Sequence, residues 1–310
     1  MVELSVVIPV YGCVECLRRL HQQLSASLAT ISAAYEIIFI DDCSPDQAWS
    51  VLSDIAGGDT KVRIFRLSRN FGQHAAITAG LANSTGRWVI VMDCDLQDPP
   101  EEIERLYRKA QEGYEIVFAR RKEKQHSFFR RVAARAYVRV VNFFSAVKIE
   151  GDYGSFSILS RKVVDAFLLM RDRDRHYLFI LNWLGFHSAD IEYEHAARFR
   201  GQSSYSLRAL IKHAVSGIFF QTTVLLRWIV YLGFWVSMAG VLLAAFFMYQ
   251  YFVHSVYPGY TSLAVLILVI GGFIISSTGI AGLYIGKIFE QVKGRPLYVI
   301  DKSGIPTRDP

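Results

Sequence analysis

The chain has 310 residues, a formal net charge of +6 and a hydrophobic content of 52%. That is too apolar for an ordinary soluble enzyme. The excess is concentrated: residues 1–200 hold most of the charge, whereas Trp228 to Gly286 contains no Asp, Glu, Lys or Arg.

The N-terminal part alternates between two periodicities. Apolar, β-branched runs predict strands at Leu4–Val10, Glu36–Ile40, Val62–Leu67, Trp88–Met92 and Glu115–Ala119. Helical spacing between them predicts helices over Glu15–Ile31, Asp46–Ala56, Gln73–Asn83 and Glu101–Gln111. Strand–helix alternation with short connections implies βαβ units and a mostly parallel sheet with helices on both faces. Ligands of such sheets gather at the C-terminal strand ends. Neither a GxGxxG fingerprint nor a P-loop is present, so a nucleotide must be held in another way.

The fourth strand end is the most informative. An apolar run stops at Asp93-Cys94-Asp95-Leu96-Gln97-Asp98-Pro99-Pro100, and the prolines open a charged helix. Two carboxylates one residue apart at a strand tip suit a hard cation such as Mg2+ or Mn2+ carrying a phosphate. The same acids could instead cap the following helix.

The charge-free block divides at His254-Ser255-Val256-Tyr257-Pro258-Gly259-Tyr260 into apolar runs 228–252 and 262–286. At about 1.5 Å per residue, each is long enough for a hydrocarbon core of roughly 30 Å. Two transmembrane helices are therefore expected. The turn between them has no Lys or Arg, whereas Arg208, Lys212 and Arg227 precede the first run and Lys287, Lys293 and Arg295 follow the second. Positive-inside reasoning places both termini in the cytoplasm. Met1 to Pro9 has no basic n-region or cleavage site, so no signal peptide is expected. Leu207, Leu210, Ile211, Ala214, Val215 and Ile218 form one stripe, which predicts an amphipathic interfacial helix within 205–227. The expected organisation is a cytoplasmic domain at 1–204, this helix, the paired spans at 228–286 and a cytoplasmic tail at 287–310. The basic residues lie near the membrane segments, which points to anionic membrane lipids rather than nucleic acid as their partner.

Ile8-Pro9-Val10-Tyr11, Ile40-Asp41-Asp42-Cys43-Ser44-Pro45-Asp46, Leu67-Ser68-Arg69-Asn70-Phe71-Gly72 and the Asp93–Pro100 stretch occur in that order. They are followed by Asp152-Tyr153-Gly154-Ser155-Phe156 and Arg198-Phe199-Arg200-Gly201-Gln202-Ser203-Ser204-Tyr205. The ordered set resembles family-2 glycosyltransferases, in the branch of dolichyl-phosphate mannose synthase and bacterial polyisoprenyl-phosphate glycosyltransferases. The resemblance implies a GT-A-like nucleotide-diphospho-sugar transferase fold. It implies that Pro9 and Tyr11 line a nucleoside pocket, that Asp42 contacts the base and that Asp93 lies near the donor ribose and sugar. Asp95 and Gln97, with Asp93, match metal positions for Mg2+ or Mn2+, and Arg200 matches the arginine that closes over the diphosphate. Alternatives remain open: Asp42 could cap the helix after Pro45, and Arg200 could be a juxtamembrane anchor. Relatives often have Tyr-Asn-Glu where this chain has Tyr11-Gly12-Cys13, and Gly-Asp-Phe where it has Gly154-Ser155-Phe156. Asp152 is a candidate substitute for the acid missing at Ser155, or a turn residue before a strand.

The implied acceptor is a polyisoprenyl phosphate (undecaprenyl or dolichyl), whose phosphate is largely dianionic at pH 7 and needs no general base. What it needs is cationic positioning. Arg120, Arg131 and Arg135, within the basic and aromatic segment at about 120–150, are expected to bind it. The expected activity is inverting transfer of a single sugar from a nucleotide sugar, a UDP-sugar favoured over GDP-mannose, at the bacterial inner membrane. A homo-oligomer is left open. Transfer to a neutral lipid alcohol, which would need Asp152 as a base, and a catalytically silent scaffold are the alternatives.

Cys13, Cys16, Cys43 and Cys94 fall at the ends of strands that are neighbours in a 3-2-1-4 order. Their spacing argues against zinc, and on the cytoplasmic side they are expected as free thiols. Asp172 to Arg175 is expected as a solvated charge run.

Overall fold

The computed structural model describes residues 2–122, 153–170, 172–173, 175–194, 224–254 and 260–304. Asp152, Arg131, Arg135 and Arg200, and the expected interfacial helix as far as residue 223, lie outside them. The chain forms two compact units, and residues 205–294 fall in the second.

The first unit is built on an eight-stranded sheet. Its strands are β1 (Leu4–Val10), β2 (Tyr35–Asp41), β3 (Val62–Leu67), β4 (Trp88–Val91), β5 (Ile116–Arg121), β6 (Tyr153–Ser160), β7 (Ser188–Tyr193) and β8 (Ile300–Gly304). Their order across the sheet is β7-β5-β6-β4-β1-β2-β3-β8. The expected 3-2-1-4 neighbourhood is present, and its three pairings are parallel. The next strand in sequence does not extend it. β6 lies between β4 and β5, antiparallel to both, while β7 adds in parallel to β5 and β8 antiparallel to β3.

Continuous apolar strands need cover on both sides, and the period-2 alternation divides them. Val6, Ile8, Ile37 and Phe39 face one core with α1 (Val14–Ile31), α2 (Ala48–Gly58) and α4 (Glu102–Gln111). Val7, Ile38 and Ile40 face the other, with α3 (Gln73–Asn83), α5 (Arg161–Leu169) and α6 (Tyr177–Leu184). α3 sits so close to the sheet that a Cβ on Gly80 would lie 2.2 Å from Val7 Cγ1. The charge run before α6 is not solvated at Arg175, which is 7% exposed. Its guanidinium donates to Thr78 Oγ1 and to the carbonyls of Phe167 and Met170, closing the end of α5.

The second unit contains α7 (Val224–His254) and α8 (Tyr260–Val292), in contact where Gly233 leaves room for the Phe273 ring. Within α8, Ile270–Val292 is long and apolar enough to cross a membrane, and none of it is buried in the unit. The apolar segment among the described residues of α7, Trp228–Gly240, is shorter. One candidate span is thus found among the described residues, where two are expected.

Candidate active site

Four neighbouring strand tips turn through a left-handed residue. After β1, β2, β3 and β4 these are Gly12 (φ 67°), Cys43 (φ 53°), Gly72 (φ 95°) and Leu96 (φ 60°). Glycine meets that conformation without cost, whereas Cys43 and Leu96 hold it at a cost of roughly 1 kcal/mol or more each. Such strain gathers at functional loops, and here it marks one end of the sheet.

The β2 tip is an acidic junction. Asp41 accepts from Ser44 N–H at 2.8 Å and lies 3.3 Å from Arg66 Nε. Asp46 accepts from Val14 N–H and Ala48 N–H, tying the starts of α1 and α2. Asp42, 3% exposed, accepts from Phe71 N–H and Gly72 N–H, each at 2.8 Å. So Asp46, not Asp42, serves the helix after Pro45, and Asp42 fixes the loop after β3. Burial holds the Asp42 carboxyl above its ordinary range despite those two donors. Any base contact made by Asp42 shares a carboxylate already engaged. Tyr11 stands 53% exposed beside this junction, and Pro9 is buried within β1.

The β4 tip carries the second acidic group. Asp93 Oδ1 accepts from Gln73 Nε2 and from Ser155 Oγ, each at 2.8 Å. Burial, and then the nearby Asp98, push Asp93 up to about 6. Asp98 is 1% exposed and accepts from Tyr193 Oη at the end of β7. Asp95 is half-buried and accepts from Gln97 N–H at 3.2 Å, a turn that leaves Leu96 at its tip. Among the described residues, no three His, Cys, Asp or Glu side chains are grouped to hold a metal ion.

Arg120 and Arg121 behave differently from each other. Arg120 is exposed on β5. The Arg121 guanidinium packs over Gly154, where a Cβ would lie 3.0 Å from Nη2. It bonds to Tyr193, and its charge lowers both Asp93 and Asp98. The basic pattern after β5 does not separate these neighbours. Strand alternation was the available signal.

Gln73 and Ser155 are site residues that sequence reasoning did not assign. Gln73 begins α3 directly after the Gly72 turn, which was the clue to its position.

The cysteines require a correction. Cys13 and Cys94 are joined in a disulfide with Cα atoms 6.6 Å apart, while Cys16 and Cys43 are free. Parallel pairing of β1 with β4 brings the two tips within disulfide reach, which spacing along the chain cannot reveal.

Residues 5–168 match the family described as glycosyl transferase family 2. The chain belongs to glycosyl transferase family 2. Members resembling it over nearly its whole length include an undecaprenyl-phosphate 4-deoxy-4-formamido-L-arabinose transferase of Proteus mirabilis. That relative is 35% identical over 97% of this chain and 93% of its own. An uncharacterized glycosyltransferase of Synechocystis sp. is also 35% identical, over 96% of this chain and 95% of its own. Among solved structures, glucosyl-3-phosphoglycerate synthase from Mycobacterium tuberculosis, in complex with Mn2+, UDP and phosphoglyceric acid, has a TM-score of 0.48. It is 16% identical, covering 71% of this chain and 78% of that one.

Proposed function

We propose that this family-2 glycosyltransferase moves a single sugar from a nucleotide diphosphate sugar, UDP-linked, onto a polyisoprenyl phosphate at the cytoplasmic face of a bacterial membrane. The observation that carries the reading is the convergence of Tyr11, Asp42, Asp93 and Asp95 on one end of the sheet, at the tips of β1, β2 and β4, each of which turns through a left-handed residue. The full-length likeness to undecaprenyl-phosphate sugar transferases supports the acceptor class.

In this reading Pro9, Tyr11 and Asp42 hold the nucleoside, and Asp93 faces the ribose and sugar. Asp93 Oδ1 takes its two donors from Gln73 and Ser155, which fixes the plane of the carboxylate. Asp95 with Gln97 and Asp93 would hold Mg2+ or Mn2+. The residues fit such an ion on one condition. With no three-ligand cluster among the described residues, diphosphate oxygens and water would complete the shell, as they commonly do for Mg2+. The cation supplies charge neutralisation of the departing diphosphate.

The acceptor phosphate is already ionised, so nucleophilic attack needs positioning rather than proton removal. Arg120, Arg131 and Arg135 supply forked donors for it, and Arg200 closes on the donor diphosphate. Attack opposite the leaving diphosphate inverts the anomeric centre. Two spans, 228–252 and 262–286, anchor the enzyme with both termini in the cytoplasm. The catalytic domain ends near residue 204, followed by the interfacial helix.

Membranes carrying the protein are incubated with labelled UDP- and GDP-sugars and polyisoprenyl phosphate. Expected is a lipid product labile to mild acid, formed from UDP-sugar and lost with EDTA. An acid-stable lipid glycoside instead indicates an alcohol acceptor and refutes the reading.

A further inference from the structure

All four cysteines of the chain lie at the ends of β1, β2 and β4 that carry Tyr11, Asp42, Asp93 and Asp95. Cys13 immediately precedes α1. Cys16 is buried in its first turn, donating its N–H to the Cys13 carbonyl at 3.0 Å. Cys43 turns through φ 53° beside Asp42. Cys94 stands between Asp93 and Asp95. The one bond among them, Cys13–Cys94, spans 81 residues and joins the Tyr11 loop directly to the acidic loop.

Two backbone N–H bonds to carboxylates within the acidic loop are long. Gln97 N–H reaches Asp95 at 3.2 Å, and Asp93 N–H reaches Asp98 at 3.5 Å, the limit of a useful hydrogen bond. Leu96 adds a left-handed turn that the chain does not prefer. The covalent tie at Cys94 adds to the side-chain bonds that Gln73 and Ser155 make to Asp93 and that Tyr193 makes to Asp98, and it alone links this loop covalently to the Tyr11 loop.

We propose that the Cys13–Cys94 disulfide is a redox gate on the donor site. Closed, it holds the Tyr11 loop and the Asp93–Asp98 loop in the arrangement that binds the nucleotide sugar. Opened by a dithiol, it releases both loops and weakens donor binding. The inference rests on the proposed function, which places the donor at this end of the sheet and this unit in the cytoplasm. Disulfides exposed to a reducing compartment are characteristically transient or redox-sensing.

Access sets the direction of the exchange. Cys13 is half-buried and Cys94 is 9% exposed, so an external thiolate attacks Sγ of Cys13. The Cys13–Cys94 bond breaks, and Cys94 leaves as a thiolate that takes a proton. The second thiol of the reductant then attacks the reductant's own sulfur in the mixed disulfide, releasing Cys13 as a thiol. Two electrons and two protons pass to the protein, and the dithiol becomes a cyclic disulfide. Reversal with an oxidised dithiol closes the gate.

The test uses the full chain in anionic lipid nanodiscs, equilibrated with reduced or oxidised dithiothreitol, then alkylated and peptide-mapped. Expected is a bridged Cys13–Cys94 peptide under oxidation and alkylation of both residues under reduction. Reduction should raise the donor KM about tenfold, the scale of ordering one or two interface side chains. The KM for polyisoprenyl phosphate should stay unchanged. Cys13→Ser and Cys94→Ala should each show the reduced-state donor KM in both buffers. An equal or lower donor KM in the reduced state overturns the gate and leaves the proposed function standing, as does a bridge that never forms. If no sugar is transferred in either state, the proposed function fails. Amide hydrogen exchange across 93–98 then decides the gate: faster exchange on reduction supports it, and unchanged exchange overturns it.

Discussion

Ser155 offers the sharpest test of the acidic site, because it stands where the family pattern has an acid and yet donates to Asp93. Ser155→Ala removes one of two donors on Asp93 Oδ1, leaving Gln73 at 2.8 Å. A hydrogen bond to an ionised group is worth about 1.5–3 kcal/mol. With one donor remaining, the lower value applies, and about 1.5 kcal/mol corresponds to roughly a tenfold loss in kcat/KM for the donor. The loss has a pH signature. Burial and Asp98 already hold Asp93 at about 6, while the Ser155 hydroxyl pulls it down. Without that hydroxyl Asp93 moves further up, so less of it is ionised near pH 6 and the deficit is larger there than at pH 8. Initial rates with labelled UDP-sugar, taken as kcat/KM, read the free enzyme's groups. Ser155→Thr keeps the hydroxyl and should stay near the parent. A Ser155→Ala protein within twofold of the parent, with a superimposable pH profile, refutes the reasoning.

Asp95→Asn should abolish transfer while the protein stays folded and membrane-bound; near-normal turnover of that variant in EDTA would sink the metal assignment. Glu36 tests the opposite end of the sheet. Burial alone would raise its carboxyl, but Ser5, Thr85 and Arg63 outweigh burial and hold it below the ordinary range. A depressed carboxylate stabilises the fold above its unfolded pKa, and that contribution is lost as pH falls through the folded value. Glu36→Gln should therefore cost about 2 kcal/mol in denaturant titrations at neutral pH, with a smaller deficit in acid, and leave donor KM unchanged. Gly80→Ala should cost at least about 1–3 kcal/mol, since its Cβ would fall 2.2 Å from Val7 Cγ1; an unchanged denaturation midpoint would refute the close packing of α3 on β1.

The site was legible in sequence where residue type and strand position coincide. Asp93 and Asp95 end an uninterrupted apolar run, and Tyr11 and Asp42 do the same for their strands, so a parallel sheet places them together without further information. What sequence could not give is which acid serves which neighbour. In Asp41-Asp42-Cys43-Ser44-Pro45-Asp46 three carboxylates look alike, yet they tie to Ser44 and Arg66, to the Phe71–Gly72 turn, and to α1 and α2 respectively. Those choices depend on the register of strands distant in sequence. The Cys13–Cys94 bond has the same origin, because only the β1–β4 pairing brings the two residues close.

The outer strands show where local pattern gives way to topology. β6 contains Tyr153-Gly154-Ser155-Phe156 of the sequence motif, and nothing in its composition says that it enters between β4 and β5 and reverses direction. That insertion carries Ser155 to Asp93 and brings Gly154 under Arg121, so two site contacts depend on a pairing that the alternation rule does not anticipate. β8 is less legible still: Ile300-Asp301-Lys302-Ser303-Gly304 is short, polar and mostly exposed, and it follows an apolar helix. Its place is set by need. β3 would otherwise present an open edge, and an added strand satisfies it through backbone bonds that require no particular side chains. The pairing extends to the site, because Ser68 donates its N–H to the Val299 carbonyl at 2.9 Å. Ser68 begins the loop whose Phe71 and Gly72 amides hold Asp42. The segment after α8 thus buttresses the loop that fixes the β2 acid, a role visible only once the sheet is assembled.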